Sequence, residues 1–391
     1  MNLDGKKLLV RVDFNVPMDE DLNITDDTRI RSALDTINYL LDKNAKIILM
    51  SHLGRPKGQP NEKFSLKHVA YRLGELLNKE VIFADDDRVI SENVKTMVED
   101  MKTQEIILLE NTRFRKEEEK NGEDFAKELA SIGEIYVNDA FGTSHRAHAS
   151  NVGVSNFLPS AVGFLVEKEI SIIGKALEEA NKPFVAILGG AKVSDKIGVI
   201  ENLINKVDTI IVGGAMAFTF LKAQGYEIGK SMVEDDKLDL AKELIKKAEE
   251  NNVALILPKD VVIAKEFKND TDFKSVNIDE IPKDMMGLDI GEETIEEFSR
   301  AIKDAMTVIW NGPMGVFEMD NFNKGTFAIA KAMVESKGTT IVGGGDSASA
   351  VEKSGLSDRI THISTGGGAS LEMLEGKILP GIDAINEEKG R

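Results

Sequence analysis

The sequence predicts an α/β protein of two doubly wound parallel-sheet domains joined by a long connector helix. Three observations carry this. Short apolar, β-branched runs alternate with amphipathic stretches along the whole chain, the pattern of parallel sheets with helices on both faces. Several runs are apolar throughout, as in Ile47-Ile48-Leu49 and Ile210-Ile211-Val212, which suits strands covered on both sides. And 391 residues exceed what one hydrophobic core usually organises.

Taken in order, strands are expected at 8–13, 46–51, 106–110, 134–138, 184–188, 208–212, 254–257, 307–310 and 339–342. Between the fourth and fifth, Val162, Val166, Ile170, Ile173 and Leu177 trace one face of a helix. That helix reads as a connector, with an ordinary covering helix as the alternative. The expected organisation is an N-terminal domain over 1–160, the connector over 161–180 and a C-terminal domain over 181–363. A hinge and tail over 364–391 should return to the first domain.

Composition narrows the classes. The net charge of −18 disfavours nucleic acid and anionic membranes as partners. The absence of cysteine excludes disulfides, thiolate zinc sites and cysteine nucleophiles. No apolar run approaches the roughly 18 residues of a membrane span. Met1–Val12 reads into a strand rather than a secretory leader, and the lack of cysteine fits a reducing cytoplasm, the expected location.

The charge is unevenly spread. Nine of twelve arginines (Arg11, Arg29, Arg31, Arg55, Arg72, Arg88, Arg113, Arg115, Arg146) and four of five histidines (His52, His68, His145, His148) lie in the first 150 residues. Either that half assembles an anion site, or these are ordinary surface pairs with Asp and Glu.

Wound sheets bind ligands at the carboxyl ends of their strands. In the first half those ends run into DFNVP (13–17), SHLGR (51–55), ENTRF (110–114) and NDAFG (138–142). In the second they run into GGAK (189–192), GGAM (213–216), NGPMG (311–315) and GGGD (343–346), with STGGG at 364–368. Arginine forks match phosphate and carboxylate oxygens, while glycine turns let backbone N–H groups approach phosphates. One half therefore suits a small polyanion and the other a nucleotide polyphosphate. Neither GxxxxGK[ST] nor GxGxxG occurs, which disfavours a P-loop enzyme and a dinucleotide dehydrogenase.

These stretches, with DDTRIR (26–31), NDAFGTSHRAHAS (138–150), LGGAKVSDKI (188–197), GGAMAFTFL (213–221), WNGPMGVFE (310–318) and STGGGASLEMLEGK (364–377), resemble phosphoglycerate kinase in the same order over nearly the whole chain. The resemblance implies two Rossmann-like domains with the active site in the cleft between them. It implies reversible, magnesium-dependent phosphoryl transfer from 1,3-bisphosphoglycerate to ADP, giving 3-phosphoglycerate and ATP in glycolysis, by a monomer that closes its domains. By similarity the triose site is Asp13, Phe14, Asn15, Arg29, His52, Leu53, Gly54, Arg55, Arg113 and Arg146. The nucleotide site is Lys192, Lys196, Gly213, Gly214, Gly287, Leu288, Asn311, Glu318, Gly344, Gly345, Asp346 and Ser347, with Asp346 also serving the metal. Arg29, Lys192, Gly367 and Gly368 are expected to face the phosphoryl group in transfer. The sequence departs from the family in its short start before DFNVP and in GGAM where GGGM is usual.

Overall fold

The computed structural model describes residues 2–385, in two compact units. One runs to Ser171 and takes up the chain again from Ile378; the other is Ile172–Lys377.

In the first unit, β1 (Lys7–Val12), β2 (Lys46–Met50), β3 (Ile82–Ala84), β4 (Ile106–Leu109), β5 (Ile135–Asp139) and β6 (Ser160–Val162) form one sheet in the order β3-β4-β2-β1-β5-β6. All its pairings are parallel. The apolar runs have the cause expected of them. Leu8, Val10 and Val12 enter one core with Ile47 and Leu49, while Leu9 enters the opposite core with Ile48 and Met50. Successive side chains point to opposite faces of a strand, so a strand covered on both sides must be apolar at every position. Chain order reverses between β1 and β5, the kind of position at which wound sheets bind ligands beyond their strand ends.

The second unit holds β7 (Phe184–Leu188), β8 (Thr209–Val212), β9 (Ala254–Ile256), β10 (Asp260–Ala264), β11 (Phe273–Asn277), β12 (Met286–Ile290), β13 (Thr307–Asn311), β14 (Thr339–Gly343) and β15 (His362–Ile363). Its main sheet is parallel, in the order β15-β14-β13-β7-β8-β9, with the reversal between β13 and β7. A separate antiparallel sheet, β11-β10-β12, was not anticipated. β11 is mostly exposed and polar and so lacks the apolar run that marks a buried strand.

The long helix spans Phe164–Glu178. Val162 belongs instead to β6, and the buried stripe runs through Val166, Glu169, Ile173 and Ala176. Asp139 at the end of β5 sets the helix start: its Oδ1 accepts from Leu165 N at 2.9 Å. Burial raises that carboxyl to about 6. The short helix Pro380–Asp383 packs within the first unit, where Gly381 N donates to Ser144 O at 2.8 Å and Gly381 O accepts from Asn138 Nδ2 at 2.9 Å. Of the expected tail over 364–391, residues 386–391 lie outside the described residues.

Candidate active-site residues of the two units

In the first unit the loops after β1, β2, β4 and β5 supply the polar groups. Asp13 is buried and accepts from Arg29 Nη1. Asn15 Oδ1 accepts from Gly54 N at 2.8 Å, and Phe14 N donates to Ser51 Oγ at 2.9 Å, so the loop after β1 is fastened to the loop after β2. Gly54 sits at φ +59, and a Cβ there would lie 2.4 Å from the Phe64 ring, so glycine is required.

Arg113 is buried within the turn Thr112–Phe114, which Asn111 caps by accepting from Arg113 N at 3.0 Å. Its Nη1 donates to Gly54 O at 2.8 Å, and its Nε lies 3.3 Å from Glu119 Oε1. Burial lowers its pKa, with Arg11 and Arg146 adding to the effect. Arg55 and Arg146 stand exposed, and Arg146 Nε meets His145 Nε2 at 3.1 Å. Leu53 is buried and gives its carbonyl to Asn111 Nδ2 at 2.7 Å.

His52 is buried, and both burial and the surrounding guanidinium groups hold its pKa well below 6.5. A neutral imidazole among arginines can accept or donate a hydrogen bond without adding charge. Sequence reasoning passed over Arg11, which is completely buried, donates to Ser150 Oγ at 2.7 Å and lies 3.2 Å from His52 Nδ1. Its signal was a charged residue inside an otherwise apolar strand.

In the second unit the loops after β7 and β13 cross closely. Gly189 N donates to Asn311 O and Gly190 N to Pro313 O, both at 3.0 Å. A Cβ on Gly189 would sit 2.2 Å from Pro313 O, which is why the crossing needs glycine.

Two adjoining cavities open there. One, of about 540 Å³, is walled mainly by carbon: Ala217, Phe218, Met232, Val261, Phe267, Met286 and Val316, with Gly214, Gly287, Leu288 and Glu318. Apolar walls with few polar groups suit a planar base. Gly213 does not line it; a Cβ there would fall 2.3 Å from Met314 Sδ, so that glycine makes room for Met314. Phe218, Met232 and Phe267 were not foreseen as wall residues, although Phe218 lies inside GGAMAFTFL.

The other cavity, of about 350 Å³, gathers Lys192, Lys196, Asn311, Gly344, Gly345, Asp346, Ser347, Gly367 and Gly368. Asp346 and Gly190 line both cavities. Lys196 Nζ donates to Asn311 Oδ1, and burial lowers its pKa. Asn311 Nδ2 is buried with no hydrogen-bond partner among the described residues. Ser347 Oγ is taken by Gly312 N at 2.6 Å, whereas the Asp346 carboxylate is exposed in the first turn of the helix Gly345–Lys353. Two lysines, an unpaired amide N–H and glycine turns make a phosphate-sized cradle.

Wound sheets with guanidinium groups at the strand ends of one unit, and lysines and glycine turns at those of the other, define a two-unit α/β phosphotransferase. The comparisons make the class particular. A family profile described as phosphoglycerate kinase matches residues 1–377. Phosphoglycerate kinase of Finegoldia magna is 62% identical over 387 residues, 99% of this chain and 98% of that protein. One from Clostridium botulinum (strain Eklund 17B) is 61% identical over 388 residues, again 99% and 98% of the two chains. The solved phosphoglycerate kinase of Coxiella burnetii superposes with a TM-score of 0.90 at 43% identity, over 99% of this chain and 98% of that one. That of Pyrococcus horikoshii gives 0.84 at 31%, over 98% and 97%. The chain belongs to the phosphoglycerate kinase family.

Proposed function

We propose that the first unit holds the triose and the second the nucleotide in the family reaction, 1,3-bisphosphoglycerate plus ADP giving 3-phosphoglycerate plus ATP. The observation that carries this division is the equipment of the strand ends. Arg29, Arg55, Arg113 and Arg146 are contributed by the first unit alone, and the apolar cavity adjoining the Lys192–Lys196 cradle by the second alone.

In the ATP-consuming direction the C1 carboxylate of 3-phosphoglycerate attacks the γ-phosphorus. The bond from that phosphorus to the β,γ-bridging oxygen breaks, and ADP leaves. The nucleophile is already ionised at neutral pH, so no general base is needed. Catalysis then rests on alignment and on neutralising the equatorial oxygens. Arg113, Arg55 and Arg146 hold the non-reacting phosphate, and Asp13 and Asn15 orient the hydroxyl and carboxylate. Arg29, Lys192 and the amides of Gly367 and Gly368 meet the group in transfer. Glu318 takes the ribose hydroxyls.

Magnesium fits the second unit, because Asp346 offers an exposed, uncommitted carboxylate beside the phosphate cradle. Such an ion is typically held by one or two carboxylates together with substrate phosphates. When bound it neutralises phosphate charge. Among the described residues no group of three His, Asp or Glu converges on a point. The acyl phosphate is labile in water, so the two half-sites must meet by closure, with the helix Phe164–Glu178 and Ser364-Thr365 as hinge. A cytoplasmic monomer completes the reading; among the described residues no helix is long and apolar enough to cross a membrane.

The test is direct. The protein is mixed with ATP, magnesium and 3-phosphoglycerate, and the acyl phosphate is trapped with hydroxylamine. Hydroxamate should form only when all three are present, and its absence would refute the assignment.

A further inference from the structure

The loop between β7 and the helix Ile197–Leu203 carries Lys192, and it is fastened unevenly. At its front, the amides of Gly189 and Gly190 donate to Asn311 O and Pro313 O. At its back, Lys196 N donates to Val193 O at 2.8 Å and the helix begins. Gly190, at φ +100, permits the turn without fixing the residues after it. Lys192 is itself exposed, and among the described residues its side chain makes no hydrogen bond or ion pair.

Between those ends two things hold the chain. One is Val193, fully buried. The other is Ser194, whose Oγ donates to Glu234 Oε1 at 2.6 Å and whose N donates to Glu234 Oε2 at 3.1 Å. Among the described residues, no side chain other than that of Glu234 hydrogen-bonds to residues 191–195. Glu234 is held in turn, its own N donating to Thr219 Oγ1 at 3.1 Å.

Glu234 also ends a short segment that borders the apolar cavity. Lys230 and Met232 line that cavity, and Ser231 Oγ accepts at 2.9 Å from the N–H of Gly287, which lines it too. Five consecutive residues, 230–234, thus join the cavity wall to the loop of Lys192.

We propose that Glu234 is a positioning residue for phosphoryl transfer: through Ser194 it fixes the loop that presents Lys192, and through its own segment it ties that loop to the wall of the base cavity. The proposal rests on the assignment of Lys192 made above. Its physical basis is that a donor acts on a transition state only when preorganised, and a displacement of about 1 Å can cost up to roughly a hundredfold in rate. A carboxylate accepting two hydrogen bonds from one residue fixes both position and orientation.

The experiment measures kcat, KM for ATP and KM for 3-phosphoglycerate for Glu234→Ala, Glu234→Gln, Ser194→Ala, Lys192→Ala and the Glu234→Ala/Lys192→Ala double variant, with thermal melting of each. Glu234→Ala is expected to lower kcat by about tenfold or more, with KM for 3-phosphoglycerate unchanged. Glu234→Gln, which can accept from Ser194 N while donating to its hydroxyl, should stay within about threefold of the parent. The double variant should lose no more than Lys192→Ala, because both changes act through one ammonium group. If Lys192→Ala is strongly impaired while Glu234→Ala and Ser194→Ala keep kcat within about threefold, the positioning role is refuted and the Lys192 assignment stands. Additive losses in the double variant, or losses that follow the melting temperature, also refute it. A loss below about fivefold in Lys192→Ala removes the Lys192 assignment itself, and the role of Glu234 with it.

Discussion

Lys196 and Asn311 meet side chain to side chain where the loop after β7 passes the end of β13, the ammonium group donating to Asn311 Oδ1 while Asn311 Nδ2 stays buried with no hydrogen-bond partner among the described residues. One contact holds a lysine, and the other end of the same amide keeps an unused donor in the phosphate cradle. Asn311→Ala should therefore act twice. Losing the acceptor of a largely buried lysine should destabilise the protein by about 1–3 kcal/mol, and losing the free donor should weaken ADP binding by about tenfold. Urea unfolding and ADP titration separate the two effects, and unchanged ADP affinity would remove Asn311 from the cradle.

Lys192→Ala should lower kcat by roughly two to three orders of magnitude, the scale seen when one preorganised donor is lost. Steady-state kinetics at saturating ATP and 3-phosphoglycerate check this.

Arg113→Ala should raise KM for 3-phosphoglycerate about tenfold or more, since a charged hydrogen-bond donor is worth ~1.5–3 kcal/mol. ADP affinity should not move, because every residue assigned to the nucleotide lies in the other unit. Equal weakening of both ligands would contradict the division of labour.

Asp289 gives the fold a pH dependence. It is buried beside the apolar cavity, accepts from Gly325 N at 2.8 Å and from Ile290 N at 2.9 Å, and is pushed by burial up to about 7 from an ordinary 3.8. The folded state then binds the proton more tightly than the unfolded chain. The resulting stabilisation is full below about pH 4 and is lost as pH rises toward 7. Chemical denaturation from about pH 5 to about pH 7.5 should show this decline from Asp289, and Asp289→Asn should shallow it. An identical slope in the variant would refute the assignment.

The strand ends were legible because both-sided burial leaves apolar runs, and such runs point straight to the turns that come after them. Arg113, Lys192 and Asn311 stand in stretches reached that way, whereas Arg29 was given only by the resemblance of DDTRIR. What stayed hidden had a faint local signal or none. Arg11 reads as an interruption in a strand until His52 and Ser150 are seen beside it. Phe267 and Met232 are ordinary apolar residues until the antiparallel sheet and the loop before it bring them to one cavity. Glu234 reads as one acid in an acidic stretch, and only tertiary proximity gives it Ser194 as a partner. Asp289 follows Gly287 and Leu288 with nothing local to mark its burial, which is set by Gly315 and Gly325, whose missing side chains leave room for the carboxyl.

The return of the chain through Gly381 to Ser144 and Asn138 also orders events on the ribosome. The second unit is one unbroken stretch, so all of its strands are synthesised before the helix Pro380–Asp383 that the first unit still lacks. The segment made first is therefore the last to be completed: the amino-terminal sheet gains these closing contacts only after the whole second unit has been translated.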